Sequence, residues 1–287
     1  MTETDGSRPS GGPEWDWTTS AEDVAVRAVP HTDQPHSARM YDYYLGGKDN
    51  FPADRAAAEQ VLAAFPDGRT GAQQNRAFMY RAVRYLAGER GIRQFLDIGT
   101  GIPTRPNLHE VAQEIIPDAR VVYADNDPIV LAHSRALLTS TAAGCTAYLD
   151  ADLHDVEAIL ASAELRDTID LSEPVALSLV AILHFFPDDH RPYDVVRKLL
   201  DAVPAGSHLV VSHITADHTP SSMAQIVETY RSQGIPTQAR GRDEVAAFFE
   251  GLDLVEPGVQ LVNHWRPDPA TPTDLIVPVY GGVARKR

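Results

Sequence analysis

The sequence predicts an α/β protein built on a doubly wound, mainly parallel sheet. Three observations carry that prediction. From Gly91 onward, short apolar runs alternate with helical segments, which is the pattern of βαβ units. The first of those runs ends in an acid followed by two glycines, in FLDIGTG at Phe95 to Gly101. The chain has 287 residues, 43% of them hydrophobic, enough to bury one large core.

Residues 1–30 are expected to be a disordered tail, because SGGPEWDW and its flanks show no sustained period and little apolar surface. Residues 31–91 read as an N-terminal helical extension. Arg55 to Phe65 is rich in Ala, carries Val61, Leu62 and Phe65 on one face, and stops at Pro66. In Gln73 to Ala87 the apolar residues Met79, Ala82, Val83 and Leu86 recur at i, i+3, i+4 and i+7, with Gly88 as an end signal. Residues 92–287 form the domain proper. Strands are expected at Gln94 to Ile98, Arg120 to Ala124, Thr146 to Leu149, Val175 to Val180 and His208 to Ile214. Helices are expected near Asn107 to Ile116, Pro128 to Leu138, Asp155 to Ala163 and Asp189 to Ala202. Leu252 to Glu256 and Leu275 to Val283 look like two further strands across a Pro-rich segment, suiting a closing antiparallel hairpin.

Composition narrows the function classes. No run of eighteen apolar residues appears, which argues against an integral membrane protein. Met1 to Trp17 lacks a basic start followed by an apolar stretch, so no secretory signal is expected and a cytoplasmic protein is. The single Cys145 excludes an intramolecular disulfide and a cysteine-based zinc cluster. A net charge of −15, from 25 basic and 40 acidic side chains, repels nucleic-acid phosphates and favours a small-molecule partner. The same charge serves solubility.

Asp97 lies at the end of the first expected strand, with Gly99, Thr100 and Gly101 in the turn behind it. Glycines there let a backbone pass close under a ligand. A lone G-x-G is weak evidence, because such turns also use glycine for steric reasons. The next two strands add weight. The second ends in VVYAD at Asp125, 28 residues after Asp97, where an acid can accept hydrogen bonds from two ribose hydroxyls. The third ends in YLDADL, so that Asp152 could accept from an adenine amino group, with the Leu153 amide and the Asn126 side chain beside the ring. Singly, each acid reads better as a helix cap or a solvated loop residue. Together they converge on one nucleoside at the carboxyl ends of the strands.

A nicotinamide-dependent oxidoreductase would also place an acid after the second strand, but it usually wants G-x-G-x-x-G for its pyrophosphate. Here Thr104 replaces the third glycine, and Pro103 and Pro106 stiffen the turn. S-adenosylmethionine has no phosphate, and its amino group can meet the Asp97 carboxylate and the carbonyls of the turn.

The succession FLDIGTG, VVYADNDP, YLDADL and VALSLVAILHFFPD resembles the motifs of class I S-adenosylmethionine-dependent methyltransferases over Gln94 to Val283. PHSARMYDYYLGGKDNF (Pro35 to Phe51), LDIGTGIPTRPNLHEVAQ (Leu96 to Gln113) and ADNDPIVLAHSRALL (Ala124 to Leu138) resemble more closely an actinobacterial family of S-adenosyl methyltransferases of unassigned substrate. The resemblance implies a Rossmann-like methyltransferase sheet of order 3-2-1-4-5-7-6 with the seventh strand antiparallel. It implies cofactor contacts at Asp97, Gly99, Gly101, Asp125 and Asp152. It brings no acceptor with it, and membership alone does not make a chain catalytic.

Methyl transfer from a sulfonium is an in-line displacement, so a protein mainly aligns the nucleophile and excludes water. His184, just after the fourth strand in ILHFF, is where an acceptor should enter and suits general-base work. Its alternative is a histidine bonded to loop backbone. His213 near the end of the fifth strand is a weaker candidate, with a satisfied histidine beside the core as the favoured alternative. Arg39 to Phe51 holds three tyrosines, Gly46, Gly47 and a lysine. It reads as a lid in which Tyr41 and Tyr44 could cover a sulfonium; the alternative is a helix packed on the sheet edge. Asn75 and Arg76 could reach a methionine carboxylate, although a solvated helix face is favoured there. His213, Asp217 and His218 invite a metal reading that their spacing does not sustain. The function read from this is methyl transfer to an O or N nucleophile of a small molecule. A noncatalytic S-adenosylmethionine-binding module is the alternative, and a nicotinamide-dependent oxidoreductase the more remote one.

Overall fold

A computed structural model describes residues 32–287 apart from Leu138, with the side chains of residues 135–137 also left aside. The disordered tail expected over 1–30 and the last residue of the helix expected to end at Leu138 lie outside the described residues. The parallel part of the sheet comprises β1 (Gln94–Ile98), β2 (Arg120–Asp125), β3 (Cys145–Asp150), β4 (Val175–Val180) and β5 (His208–Ile214). Three short or late strands follow: β6 (Asp253–Leu254), β7 (Gln260–Leu261) and β8 (Val279–Arg285). The order is β3-β2-β1-β4-β5-β8-β6, with β8 antiparallel to both its neighbours and β7 paired to it off that path. This is the expected methyltransferase order, the two-residue β7 being the addition.

Both faces of the sheet are covered, so its strands read as continuous apolar runs. Phe95 and Leu96, neighbours on β1, enter opposite cores: Leu96 packs with Leu177 and Leu209, and Phe95 with Val121 and Trp265. Helices α1 (Ser37–Leu45), α2 (Pro52–Ala64) and α3 (Gly68–Arg84) precede the sheet, and Tyr85–Glu89 forms a π-turn after α3. Within the sheet region lie α4 (Leu108–Ile115), α5 (Pro128–Leu137), α6 (Val156–Ala161), α7 (Ala163–Thr168) and α8 (Pro192–Asp201). After β5 come α9 (Pro220–Ser232) and α10 (Arg242–Ala247), which the sequence reading left without elements. Met40 of α1, Ala57, Ala58 and Val61 of α2, and Met223 and Tyr230 of α9 share one apolar cluster. Among the described residues no helix is long and apolar enough to cross a membrane.

Of the boundaries that differ from expectation, four do so for plain local reasons. The helix expected over Asp155 to Ala163 divides at Ser162, whose Oγ accepts from the Leu165 amide and caps α7. The helix expected from Asp189 starts at Pro192, because Arg191 takes φ 53° and breaks the helical path. The last strand starts after Pro278, which has no amide hydrogen for a ladder. The strand expected over Leu252 to Glu256 shrinks to Asp253–Leu254, ahead of Pro257, which has no amide hydrogen for a ladder.

Candidate functional site

The carboxyl ends of β1 to β4 open into a cavity of about 410 Å³, roofed by α1, α3 and α9. Its sheet side is the turn after β1. Gly99 adopts φ 73° and donates its amide to the Ala124 carbonyl at 2.8 Å; a Cβ there would stand 2.7 Å from Ile182. Any side chain at Gly99 would therefore collide with the chain leaving β4, where Ala181 already takes φ 58°, a conformation costly for a residue with a Cβ. Gly101, at φ 68°, is required by backbone conformation instead, since its nearest would-be neighbour is 4.0 Å away. Thr100 anchors the turn by donating its hydroxyl to the Asp97 carbonyl at 3.0 Å.

The strand-end acids meet here in different electrostatic settings. Burial raises the Asp97 carboxyl to about 6, with the Ser178 hydroxyl and the Arg76 guanidinium acting against it. Asp125 is buried; its Oδ2 accepts from Gly101 N at 2.8 Å and its Oδ1 from Asp127 N at 3.0 Å. Each oxygen keeps lone-pair capacity for a ligand. Burial also raises the Asp125 carboxyl, against those two amide hydrogen bonds. Asp152 is exposed. Its Oδ1 accepts from the His154 amide at 2.9 Å and pairs with His154 Nδ1 at 2.6 Å, while Oδ2 takes the Asn126 amide at 3.4 Å. Partial burial would raise this carboxyl, but the His154 bonds outweigh that and hold it below the usual carboxylate range. Leu153 is buried in the core beneath the same rim.

Sequence reasoning missed what supports Asp152. His154 stacks on Phe186 with ring centroids 4.2 Å apart, and its Nε2 reaches His190 Nδ1 at 3.0 Å. The only local signal was a histidine two residues beyond a strand-end acid, in Asp152-Leu153-His154, while its partners come from the loop after β4. Asn75 is also corrected: it is 2% exposed, not on a solvated face. Its Nδ2 donates to the Tyr41 hydroxyl at 2.9 Å, and Tyr41 in turn donates to Ala72 O at 3.0 Å. Asn75 Oδ1, in the cavity wall, has no partner in the protein. Arg76 donates to the Thr104 and Pro106 carbonyls and to the Tyr80 hydroxyl, holding the chain that follows the glycine turn.

The candidate catalytic residues separate. His184 lines the cavity, its Nδ1 lacks a hydrogen-bond partner, and burial, with nearby His213 and Arg240, holds its imidazole well below the usual range. It is neutral at physiological pH. His213 is fully buried behind the cavity wall: Nδ1 donates to Ile214 O at 2.8 Å, and Nε2 accepts from Arg240 at 2.9 Å. With both nitrogens engaged, and burial pulling it to about 3, it matches the structural alternative. Tyr44 lines the cavity and shares a hydrogen bond of 3.2 Å with Tyr230; burial raises its hydroxyl well above the usual range, so it is a donor rather than a base. Asp217 and His218 both meet the Tyr280 hydroxyl, away from the bonds of His213.

The N-terminal segment is bolted to the strand ends. Arg39 bonds both oxygens of Asp54 on α2 at 3.1 and 3.0 Å and reaches Asp127 at 3.1 Å, all three side chains being buried. Asp127 follows Asp125 by two residues and caps α5 through Ile129 N. The two glycines have local duties. Gly46 ends α1 at φ 82°, and a Cβ at Gly47 would lie 1.8 Å from the Asp42 carboxylate, which ties down Asp49 and Asn50.

Comparison with known proteins is consistent with this geometry. Residues 25–287 match the family described as S-adenosyl methyltransferase. A DUF574 family protein from Streptomyces avermitilis MA-4680 is 49% identical, covers 89% of this chain and 99% of its own, and superposes with a TM-score of 0.88. A proposed methyltransferase from Thermobifida fusca YX is 40% identical, with 91% and 99% covered and a TM-score of 0.83. Among curated proteins, none matches.

Proposed function

Because the chain belongs to the S-adenosyl methyltransferase family, we propose that its cavity seats S-adenosylmethionine on the strand-end acids beside a small-molecule acceptor with an O or N nucleophile. The chain is an S-adenosylmethionine-dependent methyltransferase; which residues act, and on what, is the proposal. The observation that carries it is continuity: one cavity joins Asp97, Asp125 and Asp152 to an apolar compartment under α1, α2 and α9.

The residues present suit the cofactor. Asp97, half-buried and reluctant to ionise alone, would take its ammonium group. The unpartnered Asn75 Oδ1 offers a further acceptor, and Arg76 a cation for the methionine carboxylate. Asp125, with lone pairs to spare, would receive the ribose hydroxyls, and the open backbone at Gly101 leaves room for a ligand beside Gly99 and Thr100, which also line the cavity. Asp152, kept ionised and oriented by His154, would accept from the adenine amino group, with Asn126 and Leu153 completing that rim. When bound, S-adenosylmethionine supplies a methyl group on sulfonium sulfur, open to in-line displacement by a nucleophile. His184, neutral and on the cavity wall, would accept a hydrogen bond from the nucleophile; the remaining apolar wall excludes water. Tyr41 and Tyr44 on α1 cover the cavity, and residues 31–91 act as its lid. Titration calorimetry with S-adenosylhomocysteine tests the cofactor assignment, and its absence of binding to the wild-type chain would refute it.

A further inference from the structure

Beyond the strand ends, the cavity wall is formed by Val61 and Phe65 of α2, Phe185, and Met223, Ile226 and Tyr230 of α9. Among the described residues, the charged side chains lining the cavity are Arg76, Asp97, Asp125 and Asp152, all on the cofactor side. Among those residues no Lys, Glu or further Asp or Arg lines the remaining compartment. A charged acceptor would give up its hydration there without a counterion, at heavy cost.

The polar groups of that compartment can be counted. The Tyr41 hydroxyl is spent, because it takes the Asn75 amide and gives its own proton to Ala72. The Tyr44 and Tyr230 hydroxyls bring two protons and share one hydrogen bond, so one proton remains to offer. Burial raises both hydroxyls, that of Tyr230 to about 12, so the pair stays protonated. His184 supplies a neutral imidazole. Phe185 lies between them, its ring centroid 4.3 Å from that of His184 and 5.7 Å from that of Tyr230.

From this we infer that the methyl acceptor is an uncharged, flat, mainly apolar molecule whose nucleophilic hydroxyl lies by His184 and which carries a separate carbonyl-type oxygen for the Tyr44–Tyr230 pair. The inference rests on the cofactor reading above and specifies the other half of the same cavity. Tyr44 and Tyr230 are here positioning donors for the acceptor.

Three matched probes test it on protein saturated with S-adenosylhomocysteine, by calorimetry at pH 7. 6-Hydroxy-2-naphthaldehyde is neutral and has both oxygens, 2-naphthol lacks the carbonyl, and 6-hydroxy-2-naphthoate carries a negative charge. The aldehyde should bind most tightly, 2-naphthol roughly five- to tenfold more weakly, and the carboxylate about a hundredfold more weakly. Tyr230→Phe should bring the aldehyde down to the affinity of 2-naphthol and leave 2-naphthol unchanged; Tyr44→Phe should act in the same direction, with thermal unfolding confirming that both variants fold. Equal affinity for the carboxylate, an equal loss for both neutral probes in the Tyr variants, or no binding by any probe would overturn the inference while the bound S-adenosylhomocysteine left the cofactor reading standing. Failure of S-adenosylhomocysteine itself to bind would instead bring down the cofactor reading, and this one with it.

Discussion

Replacing Asp97 by Asn should make the ligand-free protein more stable while it weakens cofactor binding. Burial moves the Asp97 carboxyl from 3.8 to about 6. At 1.36 kcal/mol per pKa unit, its ionisation costs the folded chain at most about 3 kcal/mol at neutral pH. Below about pH 4 the carboxyl is protonated in both the folded and the unfolded chain, so the cost is absent. Between about pH 4 and 6 the unfolded chain ionises first and stability falls as pH rises; above about pH 6 the full cost persists. The Asn side chain has no charge to desolvate. At pH 7.5 the variant should therefore gain about 1 to 3 kcal/mol, or a rise in Tm of about 2 to 10 °C, and the gain should shrink toward pH 5. S-adenosylhomocysteine affinity should drop roughly ten- to a hundredfold at pH 7.5, because the ammonium loses a charged acceptor. Thermal unfolding by circular dichroism from pH 5 to 7.5, with calorimetric titration alongside, measures both effects. A variant no more stable than wild type at pH 7.5, or a stability difference that does not change with pH, would refute the reasoning.

Asp125→Ala should weaken S-adenosylhomocysteine binding by about 1 to 3 kcal/mol, and calorimetry showing unchanged affinity would remove Asp125 from the site. Asp152→Asn should cost less, since an amide oxygen still accepts from an amino group; a loss equal to that at Asp125 contradicts the assigned role. Arg39→Met leaves Asp54 and Asp127 buried without their guanidinium and should lower stability in urea by about 3 to 5 kcal/mol, with a loss of S-adenosylhomocysteine affinity; wild-type values for both would deny the ion network a role. Hydrogen exchange across residues 36–51 should slow when S-adenosylhomocysteine binds, and Tyr41→Leu or Tyr44→Leu should lower the ratio of S-adenosylmethionine to S-adenosylhomocysteine affinity. No response in either measurement would make that segment scaffold.

The bounds of β1, β4 and β5 were legible to the residue: each is a buried apolar run, β1 and β5 set off by polar or glycine neighbours and β4 opened by Pro174. The helix α9 was equally legible but went unread. Pro220 stands at its first position, and Met223, Ile226, Val227 and Tyr230 follow at i, i+3, i+4 and i+7. Within the site, the three strand-end acids could be found because a strand end is a local feature. Arg240 could not: it holds His213, the Phe186 carbonyl and Asp188, 27 to 54 residues away, and no local pattern announces such a partner. Sequence placed His184 ahead of His213 but could not supply the deciding contact. Both are histidines near strand ends, and only the long-range contact with Arg240 shows that the second has no nitrogen to spare.

The two halves of the cavity have different structural origins. The half proposed to seat the cofactor is made of turns at the ends of β1 to β4, whose mutual spacing is fixed by the parallel ladders between them. Its apolar half is made by α1, α2 and α9, which lie outside those βα repeats and can change without altering the ladders. In-line displacement fails if the acceptor wall and the cofactor drift apart by even an ångström, so the two halves need a rigid link. The buried Asp54–Arg39–Asp127 network provides one: it joins α1 and α2 to the residue two places beyond Asp125. Apolar contact alone would let these helices slide, whereas a guanidinium held by two carboxylates has one geometry. If the cavity seats its cofactor as proposed, the N-terminal helices are part of the alignment machinery, with their apolar faces free to suit a particular acceptor while Arg39 holds their distance from Asp125.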